Sequence, residues 1–359
     1  MKALVLGKGV SGTAAGAALE ADGAEVSYAE GVDLVVASPG VRVKSELQFG
    51  VERLKALGVK ALAVTGSKGK SSVVKLVADA ISATGAKAVP CGNYGLPVSA
   101  VDGDADWAVV EVSSFQMETT NLPPDAFEAA TVLNLQEDHI DRHGSVAAYH
   151  AAKMRLLGMA KRTVEPRGDD GDAALFAGSY FDNAILRANA FAAVGLMRAA
   201  GLNEPQIAAA FRGFKPLPHR MQTVFERGGT KFVDDSKATS VAALAAGVEM
   251  AGGKVRLIAG GLAKGDDPKS AIEVLTKRVE KVYLIGNCAN AFRDAWAGSV
   301  DCMVCGDMAS AVEAAAAEAQ PGETVLLSPG AASFDQYGNF GERGDDFANL
   351  AKKEGQKKT

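Results

Sequence analysis

The segment Thr65-Gly66-Ser67-Lys68-Gly69-Lys70-Ser71-Ser72 follows a short apolar run, Ala61–Val64, and precedes a helical pattern. Four apolar residues of that pattern repeat at i, i+3, i+4 and i+7, namely Val74, Val77, Ala78 and Ile81. Glycines let backbone N–H groups curl around phosphate oxygens, and a helix N-terminus adds partial positive charge. The segment therefore predicts a phosphate-binding loop between a strand and a helix, in which Lys70 reaches the terminal phosphates and Ser71 ligates magnesium.

This loop is a variant of the general phosphate-binding pattern. The general pattern has a glycine six residues before its lysine, and here that position is Val64. The alternative interpretation is a glycine-rich turn that holds no ligand.

The alternation of elements predicts the fold class. Short β-branched runs that end in Gly, Ser or Asp alternate with Ala-rich helical stretches, which is typical of βαβ units and parallel sheets. The alternation falls into three blocks, so we predict an α/β protein of three domains, each a mainly parallel sheet with flanking helices. The first and third domains are expected to be Rossmann-like, and the central one to resemble a P-loop ATPase. The predicted bounds are 1–59, 60–217 and 218–359.

Individual elements follow from the same patterns. The other predicted strands are Ala3–Leu6, Glu25–Ala29, Asp33–Ala37, Trp107–Val112, Ala130–Leu135, Lys231–Val233, Val255–Ile258, Val282–Ile285 and Thr324–Leu327. Helices are expected over 183–200 and 309–320, a loop over 165–172, and a frayed charged tail over 352–359.

Composition limits the class of protein. The chain has 359 residues, of which 48% are hydrophobic and 23% charged, as in an ordinary globular protein. Its 38 basic and 43 acidic residues give a net charge of −5, which argues against nucleic acid or an anionic membrane as partner. No apolar run reaches the roughly 18 residues that span a bilayer. The short N-terminal apolar run ends in glycines and predicts a strand, and four cysteines suggest reduced thiols, so we expect a cytoplasmic protein.

Polar side chains at two strand ends suggest a magnesium–nucleotide site. Glu111 ends one predicted strand, and His139 follows the next. Ligands of open α/β sheets bind outside the carboxyl ends of the strands, where such groups supplement phosphate oxygens around magnesium. A helix-capping acid and a surface histidine are the alternatives. His139 and His143 are also spaced i, i+4, but the metalloprotease form of a zinc site needs Glu directly after the first His, and here Ile140 stands there.

Two further patterns keep other functions open. Gly7-x-Gly9-x-x-Gly12, with Glu30 downstream to bind a ribose, fits a dinucleotide fingerprint and allows an NAD-dependent oxidoreductase as an alternative. Cys302-x-x-Cys305 lies in a predicted strand and lacks two further zinc ligands, so we interpret it as structural.

Several ordered motifs together resemble those of the Mur ligase family over nearly the whole chain. They are Ser38-Pro39-Gly40, the 65–71 loop, Gly92-Asn93-Tyr94-Gly95-Leu96-Pro97, Glu111–Gln116, Glu137–Arg142, Tyr149–Lys153, Leu217–Arg220, Asp235–Thr239, Gly260-Gly261-x-x-Lys264 and Leu327–Gln336. The last motif is similar to that of family members that add D-glutamate. The Asp-Asn-Pro-Arg of the lysine- or diaminopimelate-adding members is absent.

The resemblance implies an ATP-dependent amide ligase of peptidoglycan precursor synthesis. In the family members that add D-glutamate, ATP converts the carboxylate of UDP-N-acetylmuramoyl-L-alanine to an acyl phosphate, which the amine of D-glutamate attacks. The implied cofactors are ATP, two Mg²⁺ ions and a carbamoylated lysine. The expected partners are these small molecules, with no nucleic acid or membrane, and the protein is expected to be a monomer.

The resemblance also assigns residues, motif by motif. The implied catalytic residues are Lys70, Glu111, His139 and Lys153. Ser71, Glu111 and Ser113 would serve one magnesium, His139 with Glu111 the second, and Lys153 would be the carbamoylated lysine. ATP would be held by Gly66, Ser67, Lys68, Gly69, Lys70, Ser71, Ser72, Asn93, Asn189, Arg220, Asp235 and Lys237. The uridine substrate would meet Val10, Ser11, Ser38, Asn93 and Ser113, and D-glutamate would meet His139, Thr239, Lys264, Ser333, Phe334 and Phe340. His219 is expected to support Arg220.

The chain departs from the family in three places. The first domain is shorter and lacks the segment after the second strand that helps to hold uracil, and the stretch between Lys161 and Asn183 is also shorter. The His-Asn pair expected before Asn189 is Ile185-Leu186. The short first domain keeps open a second alternative, a nucleotide-binding relative without ligase activity.

Overall fold

The computed structural model describes residues 1–30, 43–137 and 139–357, with the exception of the side chains of Asp141 and of residues 355–357. The chain divides into two compact units, Met1–Phe214 and Lys215–Thr359. The sheets are parallel or nearly so and are flanked by helices, which confirms the predicted α/β class.

The first sheet of unit 1 has two parallel strands, β1 (Lys2–Leu6) and β2 (Glu25–Ala29), joined by helix α1 (Val10–Ala21). Both strands were predicted from the sequence, to within one residue. The third predicted strand, Asp33–Ala37, lies outside the described residues.

Helix α2 (Glu46–Ala56) was not predicted. Ser45 caps it by accepting a hydrogen bond from the Gln48 backbone N–H. Its apolar face, Leu47, Val51 and Leu54, is buried in the core that also holds the central strands. The sequence signal was present as an i, i+4, i+7 spacing after a capping serine.

The domain boundaries at 59/60 and 217/218 stay a prediction.

The central sheet of unit 1 is parallel throughout, in the order β4-β5-β3-β6-β7. Its strands are β3 (Lys60–Thr65), β4 (Ala88–Gly92), β5 (Trp107–Glu111), β6 (Ala129–Val132) and β7 (Thr163–Val164). The helices are α3 (Lys70–Ser82), α4 (Ser114–Thr119), α5 (Ile140–His143), α6 (Val146–Met154), α7 (Asp170–Leu175), α8 (Arg187–Ala199) and α9 (Glu204–Gly213), with 3-10 turns at Val98–Ala100 and Arg155–Met159. The chain leaves β3 toward β4 and β5 and returns on its other side to β6, so a crevice opens at the carboxyl end of β3.

Three predicted boundaries in unit 1 were wrong. β6 ends at Val132 and not at residue 135, because residues 133–136 run beside the loop after β3 and bond to it instead of to a strand. A capped helix, α7, occupies part of the loop predicted over 165–172, since Asp169 accepts from the Asp172 N–H. α8 begins at Arg187, four residues later than predicted.

Unit 2 contains a six-stranded sheet in the order β12-β11-β10-β13-β9-β8. It is parallel except that β8 pairs antiparallel with β9 at the edge. Its strands are β8 (Gln222–Arg227), β9 (Thr230–Asp234), β10 (Val255–Gly260), β11 (Val279–Ile285), β12 (Cys302–Gly306) and β13 (Thr324–Leu327). Its helices are α10 (Val241–Ala251), α11 (Ile272–Arg278), α12 (Ala289–Trp296), α13 (Met308–Glu318) and α14 (Phe340–Lys357), with a 3-10 turn at Pro268–Ala271.

The prediction of a frayed tail from residue 352 was wrong, because α14 continues to Lys357. The helix is anchored by Phe347 and Ala351, which are buried against the sheet. Cys302 and Cys305 lie on β12 as free thiols, in agreement with the structural interpretation. Among the described residues, no helix combines the length and the apolar character that crossing a bilayer requires.

The start of α9 supplies a test of local stability. Asn203 Oδ1 accepts from the Gln206 N–H at 3.0 Å, and Gln206 Oε1 accepts from the Asn203 N–H at 2.9 Å. We expect Asn203→Ala to lose this capping box and weaken α9 by about 1 kcal/mol. Hydrogen–deuterium exchange should then be about fivefold faster in peptides from α9, and unchanged in peptides from β10 and β11. Unchanged exchange in α9 would contradict the assigned cap.

Candidate active site

The phosphate loop follows β3 at the crevice and is shaped by two glycines. Gly66 and Gly69 have φ angles of 145° and 85°, in the region that favours glycine. A Cβ atom on Gly69 would lie 2.0 Å from Asn189 Nδ2, so no larger residue fits. α3 begins at Lys70, directly after Gly69. The predicted sequence of strand, glycine-rich loop and helix is therefore confirmed.

Lys70 folds back over this loop. Its Nζ donates to the carbonyl oxygens of Gly66 at 2.8 Å and Ser67 at 3.1 Å. Ser71 and Ser72 follow in the first turn of α3, where Ser72 is buried. The lysine is thus held at the mouth of the loop, in position to meet an anion there.

Glu111 lies beside the loop with a carboxylate that is only partly satisfied. It ends β5 and pairs in register with Val64, one residue before the end of β3. Its Oε1 accepts from Asn93 Nδ2 at 3.0 Å. Its Oε2 is buried and has no hydrogen-bond partner among the described residues. A buried carboxylate oxygen without a donor is costly, unless a cation completes it.

Lys153 and Tyr149 lie on one face of α6. Both side chains are buried, and Lys153 Nζ lies 4.8 Å from the centre of the Tyr149 ring. The Tyr149 hydroxyl is 3.0 Å from Ser67 Oγ in the phosphate loop. Ser67 Oγ also accepts from the Gln136 N–H at 2.9 Å. Lys153 is therefore joined to the phosphate loop through Tyr149.

His139 stands at the N-terminus of α5 with a left-handed backbone, φ 52°. Its ring centre lies 4.9 Å from that of Phe115. Phe115 is on α4, which Ser113 caps in a reciprocal capping box with Gln116. His139 and Ser113 thus come from two loops that Phe115 brings together.

His143 does not pair with His139 as a zinc site would require. Its Nε2 lies 3.0 Å from Ser114 Oγ, and its Nδ1 lies 3.4 Å from Glu118 Oε1. Among the described residues, no group of three or more His, Cys, Asp or Glu is placed to hold a metal ion.

The first sheet carries the residues predicted for the uridine substrate. Val10 and Ser11 open α1, and both are exposed. Ser38 lies outside the described residues. The glycine fingerprint is tightly packed, since a Cβ on Gly12 would lie 2.1 Å from the Gly7 carbonyl oxygen.

Glu30, which the oxidoreductase alternative assigns to a ribose, has a different contact. Its Oε1 accepts from the backbone N–H of Lys8 at 3.1 Å. This bond closes the end of the small sheet and explains the residue without a cofactor.

In unit 2, Asp235 is buried at the end of β9. Ser328 Oγ donates to its Oδ2 at 2.9 Å, and the Met221 N–H donates to its Oδ1 at 3.3 Å. Burial raises the pKa of Asp235 to about 7, although these bonds and the charge of Arg220 act against the rise.

His219 contacts the preceding acid. Its Nδ1 lies 2.7 Å from Asp234 Oδ2, and burial raises the pKa of the Asp234 carboxyl. A Cβ on Gly344 would lie 2.2 Å from His219 Nδ1 and 2.6 Å from Asp234 Oδ2. Gly344 thus leaves room for this pair, and the support of Arg220 by His219 stays a prediction.

Arg343 of α14 organises the loop after Asp235. It is 1% exposed and donates to Ser236 Oγ at 3.0 Å, to the Ser236 carbonyl at 2.9 Å and to the Ala331 carbonyl at 3.1 Å. Burial lowers the pKa of its guanidinium to about 10. Lys237 follows Ser236, and its Nζ lies 4.1 Å from the ring centre of Phe340.

The other residues predicted for D-glutamate also belong to unit 2. Lys264 Nζ donates to Thr239 Oγ1 at 3.2 Å, so these two meet directly. Ser333 is buried, whereas Phe334 is 68% exposed.

Two residues near the phosphate loop were missed as site residues. Tyr149 appeared only as part of a motif, and Asn134 only as part of a strand. Both reach the loop through hydrogen bonds that no spacing in the sequence reveals.

Comparison with known sequences gives consistent results. A sequence model described as "Mur ligase middle domain" matches residues 64–166, and one described as "Mur ligase, glutamate ligase domain" matches residues 219–330. The UDP-N-acetylmuramoylalanine–D-glutamate ligase of Dechloromonas aromatica is 37% identical, over 90% of this chain and 85% of its own. The enzyme of the same name from Cereibacter sphaeroides is 35% identical, over 98% and 97%.

The second alignment runs over 458 positions, while the whole chain has 359 residues. The relative therefore carries roughly a hundred residues without a counterpart here, in keeping with the shortened segments inferred from the sequence.

Solved structures with the same fold include two from Thermotoga maritima. A MurF ligase in complex with ADP has a TM-score of 0.63 at 17% identity and covers 100% of this chain and 95% of its own. A UDP-N-acetylmuramate-alanine ligase, MurC, has a TM-score of 0.61 at 13% identity, with 98% and 99% covered.

The buried Asp235 carboxyl predicts a pH dependence of stability. A carboxyl whose pKa is higher in the folded state binds more protons folded than unfolded between about pH 4 and pH 7. The contribution of Asp235 to the free energy of unfolding is therefore fully present at low pH and is lost as the pH rises to 7. Asp235→Asn should remove a slope of up to about 1.4 kcal/mol per pH unit in that window.

The measurement is the melting temperature of both proteins from pH 4.5 to 8. The difference between variant and wild type should grow in favour of the variant up to pH 7 and then level off. A difference that is constant with pH would contradict the raised pKa.

Proposed function

The chain belongs to the Mur ligase family, and we propose that its residues join D-glutamate to UDP-N-acetylmuramoyl-L-alanine at the expense of ATP, in peptidoglycan precursor synthesis. Relatives with that activity in their names are 33% to 37% identical and align with most of the chain. A Mur ligase with bound ADP shares the fold. The proposal supersedes the oxidoreductase alternative.

One observation carries the proposal of chemistry at this site. The buried Glu111 carboxylate, with Oε2 lacking a described partner, adjoins the phosphate loop on which Lys70 closes. An anion, a cation and a carboxylate can thus meet at the carboxyl edge of one sheet. A magnesium ion on the nucleotide phosphates would complete the contacts of the Glu111 carboxylate.

The reaction has two steps. A carboxylate oxygen of the uridine substrate attacks the γ-phosphorus of ATP, and the bond from phosphorus to the ADP oxygen breaks. The D-glutamate amine then attacks the acyl carbon, loses a proton, and phosphate leaves. Negative charge gathers in both steps, so Lys70 and the amides of the loop are suited to stabilise it.

The residues present fit magnesium. Glu111 supplies an oxygen without a described donor, and Ser71 and Ser113 offer hydroxyls from the neighbouring loops. Hard oxygen ligands are those that magnesium prefers. We assign Ser71, Glu111 and Ser113 to one ion, and Glu111 and His139 to a second. When bound, the ions neutralise charge on the phosphates.

Lys153 is proposed to act as a carbamate. Its amine is buried near the phosphate loop, where an ammonium beside two magnesium ions would be repelled. Carbamoylation converts the amine into a carboxylate-like group, which would help to hold the metal ions.

The remaining ATP contacts are proposed to come from Asn93, Asn189, Arg220, Asp235 and Lys237. We assign D-glutamate to His139, Thr239, Lys264, Ser333, Phe334 and Phe340. The contact between Lys264 and Thr239 supports a common site, because a cation and a hydroxyl are suited to a carboxylate.

The uridine substrate is proposed to meet Val10, Ser11, Ser38, Asn93 and Ser113. The exposed start of α1 supports binding of a diphosphate there. We infer that the enzyme acts as a monomer in the cytoplasm. The four cysteines are free thiols, which suits a reducing compartment.

The first test of this proposal is Lys70→Ala. Phosphate release that depends on D-glutamate should be abolished, because the charge that faces the phosphates is lost. The fold should persist, since no core packing changes. Lys87→Ala, which breaks an exposed ion pair with Asp104, is the control and should keep full activity. Near-normal turnover by the Lys70 variant would contradict the phosphate-loop assignment.

The second test removes carbon dioxide. Wild-type activity should fall in buffers stripped of CO₂ and bicarbonate and return when bicarbonate is added. Lys153→Ala should be nearly inactive under both conditions. Mass spectrometry does not retain the carbamate, so ¹³C NMR with ¹³C-bicarbonate provides a direct check. Full activity of Lys153→Ala would contradict the proposed carbamate and show that Lys153 is an ordinary buried lysine.

A further inference from the structure

Asn134 lies just beyond the end of β6, and its side chain forms hydrogen bonds with both the N–H and the carbonyl of Lys68. Asn134 Oδ1 accepts from the Lys68 N–H at 2.8 Å, and Asn134 Nδ2 donates to the Lys68 carbonyl at 2.9 Å. Both bonds have the length of normal N–H···O hydrogen bonds. One side-chain amide therefore restrains two consecutive peptide groups in the middle of the phosphate loop.

These two bonds decide which way the loop presents its amides. In a planar trans peptide the C=O and the N–H point in opposite directions. Since the Lys68 N–H points to Asn134, the Ser67 carbonyl points away from it, toward Lys70 Nζ, which donates to that oxygen at 3.1 Å. Since the Lys68 carbonyl also points to Asn134, the Gly69 N–H is turned to the opposite side of the loop.

The second hydrogen of Asn134 Nδ2 extends the arrangement to Asn189. Asn189 Oδ1 lies 3.4 Å from Asn134 Nδ2, and the Asn189 side chain is buried. The amide nitrogen of Asn189 in turn lies against Gly69, where a Cβ would approach it to 2.0 Å. Asn134 thus restrains the loop directly, and again through Asn189 from its other end.

We propose that Asn134 is a positioning residue which sets the peptide orientations of the phosphate loop and thereby the affinity for the terminal phosphates of the nucleotide. This inference rests on the proposed nucleotide function of the loop. Asn134 acts through the Lys68 backbone, and through Asn189, on groups that face the phosphates.

The test compares ADP with AMP in the full-length protein. Asn134→Ala removes the hydrogen bonds, and Asn134→Leu removes them while filling nearly the same volume. The dissociation constant for ADP should rise about ten- to hundredfold in both variants, because two to three hydrogen bonds of the loop are lost. The constant for AMP, which lacks the terminal phosphates, should stay within about twofold.

Asn203→Ala is the matched control. It also removes hydrogen bonds between an asparagine and the backbone in unit 1, but at the start of α9. It should leave both dissociation constants unchanged. If Asn134 only supports the fold, the dissociation constants for ADP and AMP should instead rise equally. If neither constant changes, the loop keeps its shape without Asn134. Either result overturns the inference, and if one Asn134 variant does not fold, the other is measured.

Lys70→Ala measured alongside separates this inference from the proposed function. If the wild type prefers ADP to AMP and Lys70→Ala abolishes the preference while the Asn134 variants retain it, only the role of Asn134 is wrong. If the wild type shows no preference for ADP, the phosphate loop itself is wrongly assigned.

Discussion

The candidate site depends on the pairing of β3 between β5 and β6. Val64 lies opposite Glu111, and Thr65 lies opposite Val132, so the three strands end together at one edge. Side chains alternate between the two faces of a sheet, and a shift of one residue would turn Glu111 to the other face. The placement of the carboxylate beside the phosphate loop is therefore a consequence of strand register.

The same edge concentrates groups that a protein selected only for stability would avoid. Glu111 and Lys153 are each 2% exposed in unit 1. Burying charge costs free energy unless partners or ligands compensate. Nucleotide phosphates and cations would compensate it, so the arrangement is best explained by the ligands it is suited to hold. The apolar β3 and β5 strands surround it and supply the stability that it lacks.

The sequence was sufficient for the parallel sheets and for the phosphate loop, because strand, glycine and helix signals are local. A local signal was also present for α2, where a capping serine precedes apolar residues spaced i, i+4 and i+7, although this helix was not predicted. The sequence was insufficient for residues 133–136, which were expected in a strand. Their backbone bonds to the phosphate loop, and only the folded arrangement of β3 and β6 makes that partner available. Asn134 was overlooked for the same reason, since its partner is a backbone 66 residues away.

Arg343 has a consequence for the order in which the protein is made. The loop at Ser236 and the turn at Ala331 are both tied to this guanidinium, yet α14 follows β13 and every other strand of the sheet in the chain. During translation the ribosome delivers the six strands first, whereas domains generally fold as units. Unit 2 can therefore complete its fold only after α14 has been made, because Arg343 fastens the Asp235–Lys237 loop and Phe347 of the same helix completes the core.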